Sequence, residues 1–245
     1  MKIFSKSVVL AAALMLGSTT TTPGWSQSGG AELSDIAWTV SDTAKGAPSL
    51  RIHHERSSST FPLDGREPDL GPVTAALGSS NEGAVTFAID REPGVLTCRG
   101  ALDRRYEGSG DCVFAPNAAF EAGLDARGLA PKRKEDLLTL ALVDADLALI
   151  DGLTRQGLAP RSTNDVIAAA ALDVTPGYVA GLQSAGLDLK SIDDAVACRA
   201  LGVDEAYVRG IVAAGYEPDA HQLIAMKATG VTPEYAQKIN AAARN

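Results

Sequence analysis

Aromatic residues make up only 5% of the 245-residue chain: two tryptophans, five tyrosines and five phenylalanines. A core so poor in large rings must be built from Ala, Leu and Val packed at short distances, which favours close-packed helices over a large β-sandwich. Histidine and cysteine occur three times each, as His53, His54 and His221, and as Cys98, Cys112 and Cys198. His-Glu-x-x-His, Cys-x-x-Cys, a phosphate loop, Gly-x-Ser-x-Gly and an EF-hand loop are all absent, so the chemistries those motifs carry have no residues to run on. Basic residues are also scarce, with 22 Lys and Arg against 30 Asp and Glu, a formal charge of −8. That balance argues against an electrostatic footprint for nucleic acid or for an anionic membrane. The 45% hydrophobic and 21% charged residues suffice for one large core or two small ones, and exclude disorder and collagen-like repetition.

The N-terminus reads as an address. Lys2 and Lys6 precede an apolar run at 8–16, followed by a Thr-rich stretch, Pro23 and a cleavage site at Gly24-Trp25-Ser26. The run is well short of the ~20 apolar residues a bilayer span requires. Residues 1–26 are therefore expected to be a signal peptide, 27–35 a linker, and the location periplasmic or secreted. With no cysteine near the signal, a lipid anchor has no attachment point, so no stable membrane insertion is expected after cleavage. Loss of Lys2 and Lys6 leaves 20 basic against 30 acidic residues, a net −10.

From residue 36 to 115 the pattern has period two, punctuated by Gly, Pro, Ser and Asp. It predicts a small antiparallel β-domain with about five strands at 36–41, 49–55, 84–90, 95–102 and 109–114. Pairing Cys98 with Cys112 also sets Arg99 opposite Asp111 and Leu96 opposite Phe114, so three pairs agree on one hairpin register. In an oxidising compartment these cysteines would bridge; two free thiols are the alternative. His53 and His54 are adjacent in a strand and point to opposite faces, which keeps them from sharing a metal, and no metal or cofactor is expected. Arg104, Arg105 and Tyr106 fall at the hairpin tip, either as a solvated loop or as a partner-binding tip.

From 116 to 245 the sequence repeats with a period of 29 residues. Gly128, Gly157, Gly186 and Gly215 form one series, Gly123, Gly152, Gly181 and Gly210 a second, and Asn117, Asp146, Thr175 and Asp204 a third, which ends at Thr232 after one deletion. The third series consists of N-caps, with Pro176 and Pro233 at first helical positions. The first glycine series supplies left-handed C-terminal turns. Ser162 with Asp165, Ser191 with Asp194, and Asp219 with Gln222 mark second helices. The unit is a helical hairpin, and the domain is expected to be an α-solenoid of about four and a half hairpins, so the fold class is α+β. The second glycine series lies inside helices, where each glycine costs about 1 kcal/mol relative to Ala, and close approach of neighbouring helix backbones is the expected compensation. Leu149, Tyr178, Tyr207 and Tyr235 form a column that is either core with hydroxyls at the rim or an aromatic ladder lining a groove. Cys198 shares a column with Ala169 and Met226, which makes it a small buried hydrophobe rather than a reactive thiol.

The strings Gly-Val-Thr-Pro-Glu-Tyr at 230–235, Asp-Val-Thr-Pro-Gly-Tyr at 173–178 and Leu-Ile-Ala-Met-Lys-Ala-Thr-Gly-Val at 223–231 resemble a bacterial repeat family. Its tandem units occur in stand-alone secreted proteins and attached to BlaR-type sensor metalloproteases. The segment 108–117 resembles the small domain that often precedes such repeats. The resemblance implies an architecture and an envelope-signalling setting, but no activity, because the protease's zinc motif and membrane helices are missing.

The preferred functional expectation is an exported, non-catalytic protein or peptide interaction module whose partner is an envelope or extracellular protein. Its candidate surface residues are Arg104, Arg105, Tyr106, Tyr178, Tyr207 and Tyr235. A second class is nucleic-acid binding, because 228–244 has the look of a helix-hairpin-helix; Thr232 stands where its second glycine belongs, and the net charge opposes it. The third is an enzyme, for which Asp193/Asp194 and Asp144/Asp146 are the available acidic pairs. All four are read as carboxylates at helix starts.

Overall fold

The computed structural model describes residues 32–42, 47–55, 57–79 and 82–243. The expected signal peptide and most of the expected linker lie outside the described residues. Six strands are present among them: β1 (Leu33–Ser41), β2 (Ser49–His54), β3 (Ser57–Pro62), β4 (Gly83–Arg91), β5 (Gly94–Arg104) and β6 (Glu107–Pro116). They form one antiparallel sheet in the order β3-β2-β1-β6-β5-β4. Strand β1 begins three residues earlier than the period-two pattern indicated. The sixth strand, β3, was not expected at all, because Ser-Ser-Ser-Thr-Phe-Pro has no apolar alternation for a sequence reading to detect.

Alternation builds the sheet's buried face. Ile36, Trp38, Leu50, Ile52, Leu96, Cys98, Cys112 and Phe114 all point to it and are sealed from solvent. The β5–β6 register pairs Cys98 with Cys112, Arg99 with Asp111 and Leu96 with Phe114, as the sequence predicted, and the two cysteines form a disulfide. Gly100 faces Gly110 across the same ladder, and the Trp38 indole fills the space their missing side chains leave. A Cβ on either would come within 2.7 Å of that ring. Between β3 and β4 a single 3-10 turn at Pro68–Leu70 leads into α1 (Gly71–Leu77), which buries Val73 and Leu77 on the sheet and packs beside β4.

Nine helices follow among the described residues: α2 (Ala118–Asp125), α3 (Lys134–Leu142), α4 (Leu147–Arg155), α5 (Thr163–Ala171), α6 (Pro176–Ser184), α7 (Ile192–Ala200), α8 (Glu205–Ala213), α9 (Ala220–Ala228) and α10 (Pro233–Ala243). The even-numbered ones stack in one row and α3, α5, α7 and α9 in another, an arrangement consistent with an α-solenoid. Asn117, Asp146, Thr175, Asp204 and Thr232 each accept a backbone N–H from the first turn of the helix they precede, as N-caps do. Gly128, Gly157, Gly186 and Gly215 have φ of 72°, 80°, 100° and 89°, the left-handed conformation that ends each first helix. Asp144, Asp173, Gly202 and Gly230 do the same for the second helices. Asp144 thus ends α3 rather than starting a helix, a correction to its sequence assignment; Asp and Gly both tolerate φ > 0 there.

Leu124, Leu153, Leu182 and Ile211, spaced by one repeat, are fully buried between the rows. The interior glycines serve this stacking differently from the expectation. What approaches them is the first side chain of the next even-numbered helix, not its backbone. A Cβ on Gly123 would meet Leu147 at 2.5 Å, on Gly152 Pro176 at 2.3 Å, and on Gly210 Pro233 at 2.7 Å. Gly181 faces Glu205 at a relaxed 3.6 Å. Each glycine is a socket for the following repeat.

The sheet shares a hydrophobic core with the first helices, running from Ile36 through Phe120, Leu124 and Leu137 to Val166, and the later helices build a second core from Leu153 to Ala236. The β4–β5 turn pins them together with two adjacent charges. Arg91, almost wholly buried, donates from Nη1 to the carbonyls of Ala141 (2.9 Å) and Leu142 (3.1 Å) at the C-terminus of α3. Its other face binds Asp69 at 2.7 Å and lies 3.3 Å from Asp144. Glu92 accepts the N–H of Leu147 (3.0 Å) at the N-terminus of α4, and its backbone carbonyl accepts from the Asn117 side chain. Cation at a helix C-terminus and anion at an N-terminus is the favourable sense for both helix dipoles.

The socket geometry separates four otherwise similar substitutions. Gly152→Ala and Gly210→Ala should lower stability in urea melts despite Ala's better helix propensity, and Gly123→Ala should do so less, its neighbour being a flexible leucine tip. Gly181→Ala should be neutral or stabilising by up to about 1 kcal/mol. Equal effects at Gly152 and Gly181 would contradict the socket account.

Candidate interaction surfaces

The β5–β6 tip is bound to its own fold. Arg104 pairs with Glu107. Tyr106 has φ 56°, donates its N–H to the Leu77 carbonyl (3.0 Å) and lies half-buried against the end of α1. The Arg105 guanidinium stands over the Tyr106 ring at 5.1 Å, and both arginines are exposed.

The tyrosine column is a set of ties between repeats. The Tyr178 hydroxyl donates to the Val203 carbonyl and the Tyr207 hydroxyl to the Val231 carbonyl, each at 2.8 Å. Both acceptors sit in the connection to the next hairpin. Arg199 covers the Tyr178 ring at 4.9 Å and Lys227 the Tyr207 ring at 4.3 Å, cation–π contacts made within a hairpin. This is core packing with hydroxyls at the rim, one of the two sequence alternatives. Tyr235 differs: it is 55% exposed and its hydroxyl has no partner among the described residues. Ile239, in the column that Leu182 and Ile211 bury, is 47% exposed beside it.

Cys198 is buried, and burial pushes its thiol up to about 11, so it stays protonated and unreactive near neutral pH. Asp194 caps α7 by accepting the N–H of Lys190 (3.0 Å) and of Ser191 (3.1 Å). His53 is exposed on the open face of the sheet and His54 half-buried on the other. No group of three or more His, Cys, Asp or Glu among the described residues could hold a metal ion.

The feature that sequence reasoning missed is a groove between the sheet and the helices, beside β3. Three cavities form it. One of about 240 Å³ lies between Ser57–Ser59 of the strand and Arg133, Glu135 and Thr139 of the α3 region. The next, about 520 Å³, shares Ser59 and Leu142 with it and continues past Phe61, Glu67, Asp69 and Asp144. The third, about 320 Å³, shares Val143, Asp144 and Ala170 with the second and ends at Asp173. Strand β3 pairs with β2 alone, and the backbone groups of its other edge have no partner among the described residues. The far end is acidic. Burial raises the Glu67 carboxyl above its ordinary range, Arg91 draws it down, and Asp69, Asp144 and Asp64 push it up again. The sequence carried one signal for this site: the charged Arg91-Glu92 pair in a Pro-Gly turn, which a period-two reading leaves unexplained.

Comparison with models of protein families, with characterised proteins and with solved structures finds no match to this chain. The disulfide is present, and no single helix among the described residues is long and apolar enough to cross a membrane.

The tyrosine ties give a graded prediction. Tyr178→Phe and Tyr207→Phe each leave a carbonyl unpaired and should cost about 1 kcal/mol in chemical denaturation. Tyr235→Phe should cost nothing measurable. Three equal losses would show that the hydroxyl bonds contribute nothing.

Proposed function

We propose that the protein is an exported, non-catalytic module that binds another protein or a peptide. The observation that supports this reading is the pairing of an open strand edge with a long groove on a scaffold several of whose charged groups are engaged in capping and in ties between elements. Arg91, Glu92, Asp146, Asp194 and Asp204 hold helix ends, and Cys198 is a buried, protonated thiol. Such an arrangement presents backbone and side-chain groups over a distance suited to a chain rather than to a small substrate. The signal-like N-terminus and the disulfide support export, and the resemblance of the repeats supports a partner in the cell envelope or outside it.

Photo-crosslinking in living cells tests the reading. A benzoylphenylalanine is placed in turn at Ser58, Arg105, Val212 and Tyr235 of the exported protein, and adducts are identified by mass spectrometry. At least one position should give an abundant, specific adduct with one envelope or extracellular protein. No adduct at any position, with the protein exported and folded, would overturn the binding-module reading.

A further inference from the structure

The geometry points to the open edge of β3 as the docking site of an extended peptide segment of a partner protein, paired as a seventh strand and carrying a lysine or arginine over Asp144. This inference rests on the binding-module reading and names its site and ligand chemistry.

The two edges of the sheet are treated differently. At β4 the edge has α1 and the 68–70 turn packed beside it. At β3 the outer edge makes no backbone hydrogen bond among the described residues, and the α3 region faces the strand only across the cavities. Folded proteins protect exposed strand edges with lysines, bulges, prolines or an overlying element, because a bare ladder recruits another strand. Strand β3 has no lysine and no bulge, and its one proline, Pro62, is its last residue. Strand addition needs a bare edge for main-chain hydrogen bonds, together with pockets for alternate side chains of the incoming chain. Both are present, since the cavities beside Ser57–Ser59 and beside Thr60–Phe61 succeed one another along β3 on the helix side.

Charge selects the occupant. At the Phe61 end the buried cation Arg91 stands among three carboxylates, at 2.7 Å (Asp69), 3.3 Å (Asp144) and 3.6 Å (Glu67). Arg66 is turned to Asp64 at 3.2 Å. Three negative charges around one positive leave an excess that a cationic side chain on the incoming strand neutralises. A second copy of this chain fits poorly. Its own β3 brings Ser-Ser-Ser-Thr-Phe-Pro, with no cation for Asp144, and each exported copy, after loss of Lys2 and Lys6, carries a net −10.

The test is selection of random peptides displayed on phage against the full chain, followed by amide chemical-shift mapping with the selected sequence. The expected peptides are rich in β-branched residues with a Lys or Arg at a fixed place, and they shift the amides of Ser57–Phe61. The paired variant Glu67→Gln with Asp144→Asn, both on partly exposed side chains, should weaken them by about tenfold, as loss of a charge pair does. A peptide with Gln in place of its cation should bind wild type and variant alike. Shifts confined to 147–243, an affinity independent of any Lys or Arg in the peptide, or no selected peptide would each overturn the β3 assignment. Self-association through β3, seen by sedimentation, would overturn it in favour of a second copy. An adduct found elsewhere in the crosslinking experiment would leave the binding-module reading standing while this inference fails; absence of any adduct removes both.

Discussion

The buried guanidinium of Arg91 is the interaction on which the rest of the structure depends. A charge withdrawn from water is tolerated only where its donors are filled. Here the last carbonyls of α3 fill one side and Asp69 the other. The same contacts satisfy backbone groups that every helix end leaves unpaired. With Glu92 at the start of α4, two adjacent residues of one β-turn grip the end of one helix and the beginning of the next. The direction in which the helices leave the sheet follows from that grip, and each later hairpin is positioned on the one before through the glycine sockets and tyrosine ties.

The groove is a by-product of this geometry. Helix α3 must end where Arg91 can reach its carbonyls, so the α3–α4 connection passes beside β3 and carries Asp144 to the strand's edge. Neutralising Arg91 draws three carboxylates from two segments, Glu67 and Asp69 from the turn before α1 and Asp144 from the α3–α4 connection, and their excess charge remains at the mouth of the groove. The structural requirement and the proposed binding chemistry therefore rest on the same residues.

The repeat region was largely legible in the sequence because each of its signals is local: an N-cap at Asn117 or Thr175 and a left-handed glycine at Gly128 or Gly157 act on their own neighbours. The Cys98–Cys112 register was legible because three side-chain pairs agreed on it. The rest depended on contacts distant in sequence. Strand β3 owes its existence to β2 and not to its own pattern, so its serine run gave no period to read. The partner of each interior glycine lies a repeat away, which is why backbone approach was the natural but incorrect expectation. Arg91 reads as a turn residue until α3, 50 positions later, comes to rest on it. The candidate tyrosines were identified as a column, yet only the fold shows that Tyr178 and Tyr207 are committed to structure while Tyr235 is open.

The measurement that bears most directly on this account is hydrogen–deuterium exchange of the wild-type chain against Arg91→Met, which keeps the apolar stem and removes the charge. The account predicts faster exchange on both sides of the joint, in the strands of 83–104 and in the helices of 134–155, with 205–243 unchanged. Protection in 134–155 equal to that of the wild type would contradict the claim that Arg91 is a principal tie between the helical repeats and the sheet.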